Sequence, residues 1–372
     1  MEILFTKQTM IERIYFDNNS TTTLSQSVRD ALMQVQYKPL NPSSMHYFGR
    51  KARAIIEEAR SKVREILDVP KNFRIIFTSS ATEANNIIIT NAKRNGMLIS
   101  VPKTEHPSIL KGPIDNLISV NENGEINLED IIHKGLYSIM LANNETGVIQ
   151  SMDSIIKSIR DIGSIIHIDA VQAIGKIPFS CRAIGADAYT ISAHKFGGPQ
   201  GVGCLIYNPD VIDIKPIFFG GGQEQGIRPG TENVMAIYGL AIAMNSIKER
   251  LELMQNDILS IRNFIEGELK NYGIIFGIDA KNRLPNTTSI AMPGVKAELQ
   301  IAYFDSNGIA VSAGAACSAG KVDHPYVHMA MNVCHNNASC AIRVSLGIEN
   351  TMEEAKIFIN HWYTLYKKYM KE

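Results

Sequence analysis

The sequence is poor in cysteine, and its cysteines form no familiar pattern. Five cysteines occur in 372 residues, an odd number that argues against a disulfide scaffold. Cys181 and Cys204 lie in or beside apolar runs, which predicts core positions. A loose group of metal-ligand types comprises His324, His328, Cys334, His335 and Cys340. Because no two cysteines have the Cys-x2-Cys spacing of common zinc sites, we expect no metal site there.

The sequence also lacks net charge and long apolar runs. Lys and Arg number 37, and Asp and Glu number 37, so no net field attracts nucleic acid or an anionic membrane. No apolar stretch approaches the roughly 18 residues of a membrane-spanning helix. Residues 1–7 include an acid and no apolar core of signal-peptide length. We therefore expect a soluble cytoplasmic enzyme with reduced thiols and with no nucleic-acid or membrane partner.

Repeats and low-complexity linkers are absent from the sequence, in which short apolar runs alternate with helix-length segments. Strands are predicted at 74–78, 97–101, 138–142, 165–168, 188–192 and 204–207. Helical spacing is found over 52–67 and from Thr231 to about Leu253. This alternation predicts an α/β fold with a mostly parallel sheet between helices. A chain of this length is expected to form two domains, placed at 15–250 and at 251–372 together with 1–14.

One lysine stands in a polar, glycine-rich loop after a predicted strand. Ser192-Ala-His-Lys195 is followed at once by Phe-Gly-Gly-Pro-Gln-Gly-Val-Gly203. Upstream, an apolar strand ends in Asp169, and Gln172 comes three residues later. An amine, a carboxylate and an amide are what pyridoxal phosphate requires, for an imine to its aldehyde, an anion on its ring nitrogen and a hydrogen bond to its phenolic oxygen. Lys195, Asp169 and Gln172 would fill these roles.

The phosphate of such a cofactor has a candidate site of its own. The β-rich run 73–77 gives way to small hydroxyl residues and then to a helical pattern. This order places free backbone N–H groups and the positive end of a helix where a phosphate can bind. Thr82 and the amide of Ala81 are the predicted contacts. Ser192 and His194 can reach the same phosphate from the lysine loop.

Ordinary structural interpretations exist for the same residues. A loop lysine is often a solvated surface charge, and Asp169 could be the N-cap of a following helix. Ser80 and Glu83 have the spacing of a capping box, which is compatible with a phosphate site at the same helix end. A nicotinamide-binding Rossmann fold is a weaker interpretation, because Gly201-Val-Gly203 lacks the third glycine and leads into a strand.

These segments together resemble the cysteine desulfurases, the sulfur-mobilising branch of the class V aminotransferase-like, fold-type I pyridoxal phosphate enzymes. The similar segments run through almost the whole chain: YFDNNSTT from Tyr15, NPSSMHYFGR from Asn41, SSATEANN from Ser79, EHPSI from Glu105, NNETGVIQ from Asn143, HIDAVQAIGK from His167, SAHKFGGPQGVG from Ser192, GGGQEQGIRPGTEN from Gly220, SAGAACSAG from Ser312 and AIRVSLG from Ala341. The resemblance implies a large domain with a mostly parallel seven-stranded sheet between helices, a smaller α+β C-terminal domain and a homodimer.

The resemblance also implies roles for single residues. His106 would stack on the cofactor ring, Asn144 would contact cofactor and substrate, and Lys195 would form the covalent link to the cofactor. Thr231 would reach a phosphate in the neighbouring subunit. Arg343 would hold the substrate carboxylate, a task that suits a planar guanidinium fork.

Cys317 is the thiol that the resemblance marks as the nucleophile. It stands in the run 314–320, which has no apolar side chain larger than alanine, and such a run makes a poor core and a good mobile loop. The implied reaction converts L-cysteine to L-alanine and leaves the sulfur as a persulfide on Cys317. Lys195 would act as the general base at Cα, and His106 would exchange the thiol protons, since its pKa lies nearest working pH.

Two departures from the family pattern leave points open. Ser80 stands where relatives usually have glycine, so the phosphate turn must accept a Cβ. The chain stops soon after a helix predicted from Met352 to Tyr369, without the longer tail with which housekeeping relatives dock an iron–sulfur scaffold. The sulfur-acceptor protein could therefore serve iron–sulfur clusters, tRNA thiolation or another cofactor. A selenocysteine lyase, a class V aminotransferase and a non-catalytic sulfur-relay or assembly partner remain alternatives.

Overall fold

A computed structural model describes residues 13–35, 38–313 and 325–370. In these ranges the strands form a seven-stranded sheet, a four-stranded sheet and a two-stranded pair. In chain order the strands are β1 (Ile14–Tyr15), β2 (Arg74–Thr78), β3 (Leu98–Pro102), β4 (Asn116–Ile118), β5 (Gly135–Met140), β6 (Ile165–Asp169), β7 (Ala188–Ser192), β8 (Gly203–Tyr207), β9 (Ile274–Ile275), β10 (Thr287–Ala291), β11 (Ile309–Ala310), β12 (Ser312–Ala313) and β13 (Ala341–Ser345).

The helices lie between and after these strands. In chain order they are α1 (Gln26–Val35), α2 (Tyr47–Ile66), α3 (Ala81–Arg94), α4 (Pro107–Leu110), α5 (Met152–Asp161), α6 (Cys181–Ile184), α7 (Val234–Asn245), α8 (Ile247–Leu253), α9 (Leu259–Leu269), α10 (Ala297–Ser306), α11 (Tyr326–Ala330), α12 (His335–Ala338) and α13 (Met352–Met370). A π-helical turn at Met254–Ile258 joins α8 to α9. Among the helices of the described ranges, none combines the length and hydrophobicity needed to cross a bilayer.

The seven-stranded sheet has the order β2-β8-β7-β6-β5-β3-β4. Its neighbours from β7 to β4 are parallel, whereas β8 runs antiparallel to both β2 and β7. The α/β class and the mostly parallel sheet predicted from the sequence are therefore confirmed. Because β8 is reversed, β2 points the same way as β7, and the carboxyl ends of β2, β3, β5, β6 and β7 meet at one edge.

Side chains of the sheet strands alternate between two hydrophobic layers, as expected for a sheet covered on both faces. Ile75 and Phe77 of β2 belong to the core that includes α2 and α7. Ile76, between them, belongs to the opposite layer, which packs against α3. Leu205 of β8 lies in the same layer as Ile76. This double covering holds the strand ends in fixed positions.

Most predicted elements occur with small shifts. β2 and β7 have the predicted bounds, whereas β5 begins at Gly135, three residues before the predicted start. The helix predicted from Thr231 begins at Val234, because the Asn233 side chain accepts the N–H of Ala236 at 3.1 Å and caps it. The three-residue edge strand β4 was not predicted, since a pattern so short has no measurable period.

A separate hydrophobic core lies around the four-stranded sheet, whose order is β12-β13-β10-β9. Helices α9, α10 and α13 cover it, and the rings of Phe304 and Phe358 stack at 4.9 Å between centroids. Phe16 also packs here, although it lies within the segment 15–250 assigned by sequence to the large domain. The division into domains near residue 250 stays a prediction.

Candidate active site

The carboxyl ends of the parallel strands surround a cavity of about 470 Å³, the position at which open α/β sheets bind ligands. Its lining residues are Asn19, Ser20, Ser80, Ala81, Thr82, Asn85, His106, Ser108, Met140, Asn144, Asp169, Val171, Gln172, Ser192, His194, Lys195 and Arg343. They include every site residue predicted from the sequence except Thr231 and Cys317. The predicted residues among them are separated by up to 262 positions in the chain, from Ala81 to Arg343, and line one cavity.

The N-terminus of α3 forms one end of this cavity. Ser80 caps the helix, because its Oγ accepts the N–H of Glu83 at 3.2 Å. The N–H groups of the first helical turn, at Ala81 and Thr82, have no carbonyl partner inside the helix. Ser80 has φ −169°, an extended conformation open to any residue, so its Cβ causes no backbone strain. The close approach falls at Gly203 instead, where a Cβ would lie 2.7 Å from the carbonyl carbon of Ser80.

The hydrogen bonds of the Glu83 side chain differ from those predicted for a capping box. Its carboxylate accepts the N–H of Ser79 at 2.7 Å, rather than the N–H of Ser80, and its other oxygen accepts Nε of Arg228 at 2.9 Å. Burial raises the pKa of Glu83, but the hydrogen bonds from Arg228 and Ser79 outweigh burial and hold that pKa below its ordinary value. The helix end therefore carries a carboxylate whose charge is offset by a bound guanidinium.

Asp169 ends β6 and lies at the floor of the cavity. Its Oδ1 accepts the N–H of Val171 at 3.0 Å, and its Oδ2 accepts Nδ2 of Asn85 at 2.9 Å. The interpretation of Asp169 as a helix N-cap is wrong, because residues 171–176 form turns and not a helix. Sequence reasoning missed Asn85. The available signal was its position three residues after Thr82, on the same face of α3.

His106 is the N-cap of the short helix α4. Its Nδ1 accepts the N–H of Ser108 at 3.1 Å, which assigns the ring proton of the neutral form to Nε2. Burial lowers the pKa of His106; nearby Asp169 raises it in part, and Lys195 lowers it further. The lowered pKa favours the neutral ring, whose N–H at Nε2 can donate a hydrogen bond.

Lys195 follows β7 in a single 3-10 turn, Ala193–Lys195. Its Nζ donates hydrogen bonds to the backbone carbonyls of Asn19 at 2.6 Å and Ser20 at 2.8 Å. Asn19 was not singled out from the sequence, because no periodic pattern relates residues 176 positions apart. His194 lies beside Thr21, with 3.2 Å between Nδ1 and Oγ1, and burial lowers its pKa to about 4.

Arg343, on β13, comes to the cavity from the four-stranded sheet. Its guanidinium donates to the carbonyl of Asn144 at 3.0 Å, to Oδ1 of Asp17 at 2.6 Å and to Oγ of Ser20 at 2.7 Å. Within the described residues, Nε of Arg343 and Oδ1 of Asn144 are buried without a hydrogen-bond partner. Buried polar atoms of this kind are usually satisfied, so the pair marks a place for a polar ligand group.

Two predicted residues lie elsewhere. Thr231 is exposed and does not line the cavity of its own chain, and Cys317 lies in 314–324, outside the described residues. Cys181 and Cys204 are buried, and Cys334 is exposed. In the part of the chain that the structure describes, no group of three or more His, Cys, Asp or Glu side chains is arranged to hold a metal ion.

Comparison with known proteins agrees with this geometry. The model of the family described as aminotransferase class-V matches residues 14–358. A cysteine desulfurase of Gluconacetobacter diazotrophicus is 33% identical, over 91% of this chain and 89% of the relative. The cysteine desulfurase IscS of Dictyoglomus turgidum is 34% identical, over 93% and 92%. The chain belongs to the cysteine desulfurases of the aminotransferase class-V family.

A solved structure supports the same assignment at the level of the fold. The NifS-like protein of Rickettsia africae superposes with a TM-score of 0.88 at 35% identity, covering 95% of this chain and 99% of the other. The resemblance stated from sequence motifs is thereby confirmed. For a cysteine desulfurase, the cavity offers an amine, a carboxylate, an amide donor and a guanidinium within one enclosure.

Proposed function

We propose that this protein is a pyridoxal phosphate-dependent enzyme that converts L-cysteine to L-alanine and leaves the sulfur on Cys317. The observation that carries the proposal is the convergence of Lys195, Asp169, Gln172 and Arg343 on one cavity beside a helix N-terminus. Three further cavities, which include Arg250, Ile174 and Tyr326 among their lining residues, do not join an amine, an acid and an amide with a guanidinium in this way.

The residues of the cavity fit pyridoxal phosphate. The first-turn N–H groups of α3, with Thr82, suit its phosphate, and Asp169 suits its ring nitrogen. Gln172 has an amide for the phenolic oxygen, and Asn144 has an unpartnered Oδ1 in the same cavity. When bound, the cofactor supplies an electron sink for negative charge that develops at Cα of the substrate.

Two side chains would handle the substrate itself. Arg343 would bind the substrate carboxylate through its fork of N–H donors, in exchange for part of its contact with Asp17 and Ser20. Lys195 would remove the proton at Cα, from a position fixed by two backbone carbonyls. His106 would exchange the thiol protons; its lowered pKa favours the neutral ring, which presents the N–H at Nε2.

The sulfur step balances without an external oxidant. The C–S bond of L-cysteine breaks and an S–S bond to Cys317 forms, so that cysteine and one thiol give alanine and one persulfide. The proposal includes a reducing compartment such as the cytoplasm, because Cys181, Cys204, Cys334 and Cys340 are all free thiols. A sulfur-acceptor protein would then take the sulfur from the persulfide.

The proposal also includes a homodimer and two domains. Thr231 is exposed and outside the cavity of its own chain, which fits a contact with a phosphate in the partner subunit. The loop before it is tied to the helix end at the cavity by the hydrogen bond of Arg228 with Glu83. We infer a domain boundary near residue 250, because the second core, apart from Ile14 and Phe16, gathers residues from Met254 onward.

The proposed nucleophile can be tested by mass. Purified protein given L-cysteine without a reductant should gain one sulfur atom on the peptide that contains Cys317. Cys317→Ser should keep the visible band of the cofactor and lose sulfide release. Cys334→Ser, which changes an exposed free thiol, is the matched control and should retain activity. Normal sulfide release by Cys317→Ser would overturn the proposal and would favour an aminotransferase, which does not need this thiol.

A further inference from the structure

A second lysine, Lys176, lies beside the cavity and is buried, with 1% of its surface exposed. Its Nζ donates to Oδ1 of Asn19 at 2.7 Å and to Oε1 of Gln172. The proposed chemistry does not use this amine. A lysine is almost never fully buried unless it has specific partners, so its two amide partners call for an explanation.

An amine beside two amides determines how both amides point. The oxygen and nitrogen ends of a carboxamide have nearly the same shape, and hydrogen bonding decides between them. Because Lys176 donates to Oδ1 of Asn19 and to Oε1 of Gln172, both NH2 groups must turn away from it. Nε2 of Gln172 donates to the carbonyl of Asn19 at 3.0 Å, and Nδ2 of Asn19 donates to the carbonyl of Asn144 at 3.0 Å.

We propose that Lys176 is a positioning residue that fixes the Gln172 amide with its NH2 group facing the cofactor cavity. One hydrogen of this NH2 group binds the Asn19 carbonyl, which also holds Lys195. The second hydrogen remains for a ligand in the cavity that Gln172 lines. The inference rests on the proposed function, because the ligand group in question is the phenolic oxygen of the cofactor.

Both charge states of Lys176 can donate to the two amide oxygens. Burial lowers the pKa of this amine well below its ordinary value, and the positive charges of Lys195, Arg343 and Arg250 lower it further. A neutral amine still carries two N–H groups, which match the two amide oxygens. Reversal of the Gln172 amide would leave one N–H of Lys176 without an acceptor, a costly state in a buried site.

The test is the pH titration of the visible absorbance of the bound cofactor. Lys176→Met removes both donors and keeps the length of the side chain. Loss of a hydrogen-bond donor to the phenolic oxygen makes the bound cofactor lose its proton only at higher pH. The midpoint of the absorbance titration should therefore rise by about one pH unit. The control is Lys157→Met, which changes a lysine with a side chain 76% exposed and should leave the midpoint unchanged.

A double-mutant cycle separates an effect of Lys176 through Gln172 from a direct electrostatic effect of Lys176 on the cofactor. If Lys176 acts through Gln172, Lys176→Met should cause no further shift in a Gln172→Ala background. The same shift in both backgrounds would overturn the proposal in favour of a direct electrostatic effect, and an unchanged midpoint in Lys176→Met would also overturn it. If Lys176→Met fails to fold, Lys176→Gln is the second variant. Its shorter amide can both donate and accept, so it no longer imposes one orientation on Gln172 and should give a smaller shift in the same direction; no shift with that variant would refute positioning.

The outcomes also distinguish this inference from the proposed function. A wild-type protein that shows no visible band with pyridoxal phosphate would contradict the proposed function. A wild-type protein with a normal band, together with a Lys176→Met variant of identical titration, would contradict the positioning role alone.

Discussion

The two hydrophobic cores contribute to the cavity in different ways. The seven-stranded sheet provides Asp169, Gln172 and Lys195 from the ends of adjacent strands. The four-stranded sheet provides Arg343 from β13. The first set suits a cofactor, and the guanidinium suits a carboxylate. In the proposed mechanism, cofactor binding and substrate selection would therefore depend on different sheets, which mutations can perturb separately.

A short segment at 17–20 connects the two sides. The backbone carbonyl of Asn19 accepts a hydrogen bond from Nζ of Lys195. Nδ2 of Asn19 donates to Oγ1 of Thr287, which lies on the four-stranded sheet, at 2.9 Å. Asp17 accepts a hydrogen bond from Arg343. Lys195 and Arg343 thus both contact residues 17–20, and this segment forms a physical bridge between the two sides.

The largest effect is expected on the side of the seven-stranded sheet. Lys195→Ala should lower kcat by about 10²–10⁴-fold, because a general base contributes an effect of this size. Borohydride reduction followed by peptide mapping should place the pyridoxyl group on Lys195 in the wild type and on no residue of the variant. A pyridoxyl group mapped to Lys176 in the wild type would contradict the assignment of roles to the two lysines.

A smaller and different effect is expected on the side of the four-stranded sheet. Arg343→Ala should lower kcat/KM for L-cysteine by roughly 10–100-fold, since hydrogen bonds to charged groups contribute about 1.5–3 kcal/mol. The visible absorbance of the cofactor and its pH titration should not change. Arg343→Lys should recover only part of the loss, because a point charge cannot replace the guanidinium fork. Loss of the cofactor from Arg343→Ala would break the proposed separation.

The cofactor side could be predicted from the sequence because its residues follow strands with clear patterns. Asp169 and Lys195 stand where apolar runs end, and the carboxyl ends of parallel strands meet at one edge. The polar contacts behind them could not be predicted. Hydrogen bonds link Asn85 to Asp169 and Lys176 to Asn19. These residues are distant in sequence, so their pairing produces no periodic pattern that could be recognised. Glu83 was assigned to the wrong backbone N–H because the two adjacent serines, three and four residues before it, look alike in the sequence.

The buried pair of Glu145, which follows β5, and His328, on α11, predicts an unusual pH dependence of stability. Burial lowers the pKa of His328 from 6.5 to about 4 and raises the pKa of Glu145 from 4.5 to about 7. His328 alone makes unfolding easier as pH falls from 6.5 to about 4. Glu145 alone makes unfolding easier as pH rises from 4.5 to about 7. Between 4.5 and 6.5 the two proton changes on unfolding cancel.

Single substitutions should separate the two contributions to the slope of the free energy of unfolding against pH. With Glu145→Gln, the free energy of unfolding should fall towards acid, and with His328→Leu it should fall towards neutral pH. Each slope should reach at most about 1.4 kcal/mol per pH unit, the value for one proton. Urea unfolding at several pH values measures both. Nδ1 of His328 and Oε2 of Glu145 are 3.8 Å apart. Slopes of the same sign in the two variants would contradict the stated directions of their pKa shifts.

The smallest effect compares two helix caps, one on each side. Ser80 caps α3 at the cavity, and Thr351 caps α13, where its Oγ1 accepts the N–H of Glu354 at 3.3 Å. Ser80→Ala and Thr351→Ala should each lower the free energy of unfolding of the cofactor-free protein by about 1 kcal/mol. Only Ser80→Ala should weaken binding of pyridoxal phosphate, because only α3 presents its N–H groups to the cavity. Equally weakened cofactor binding in both variants would mean that binding depends on the overall stability of the protein and not on the local order of the α3 N-terminus.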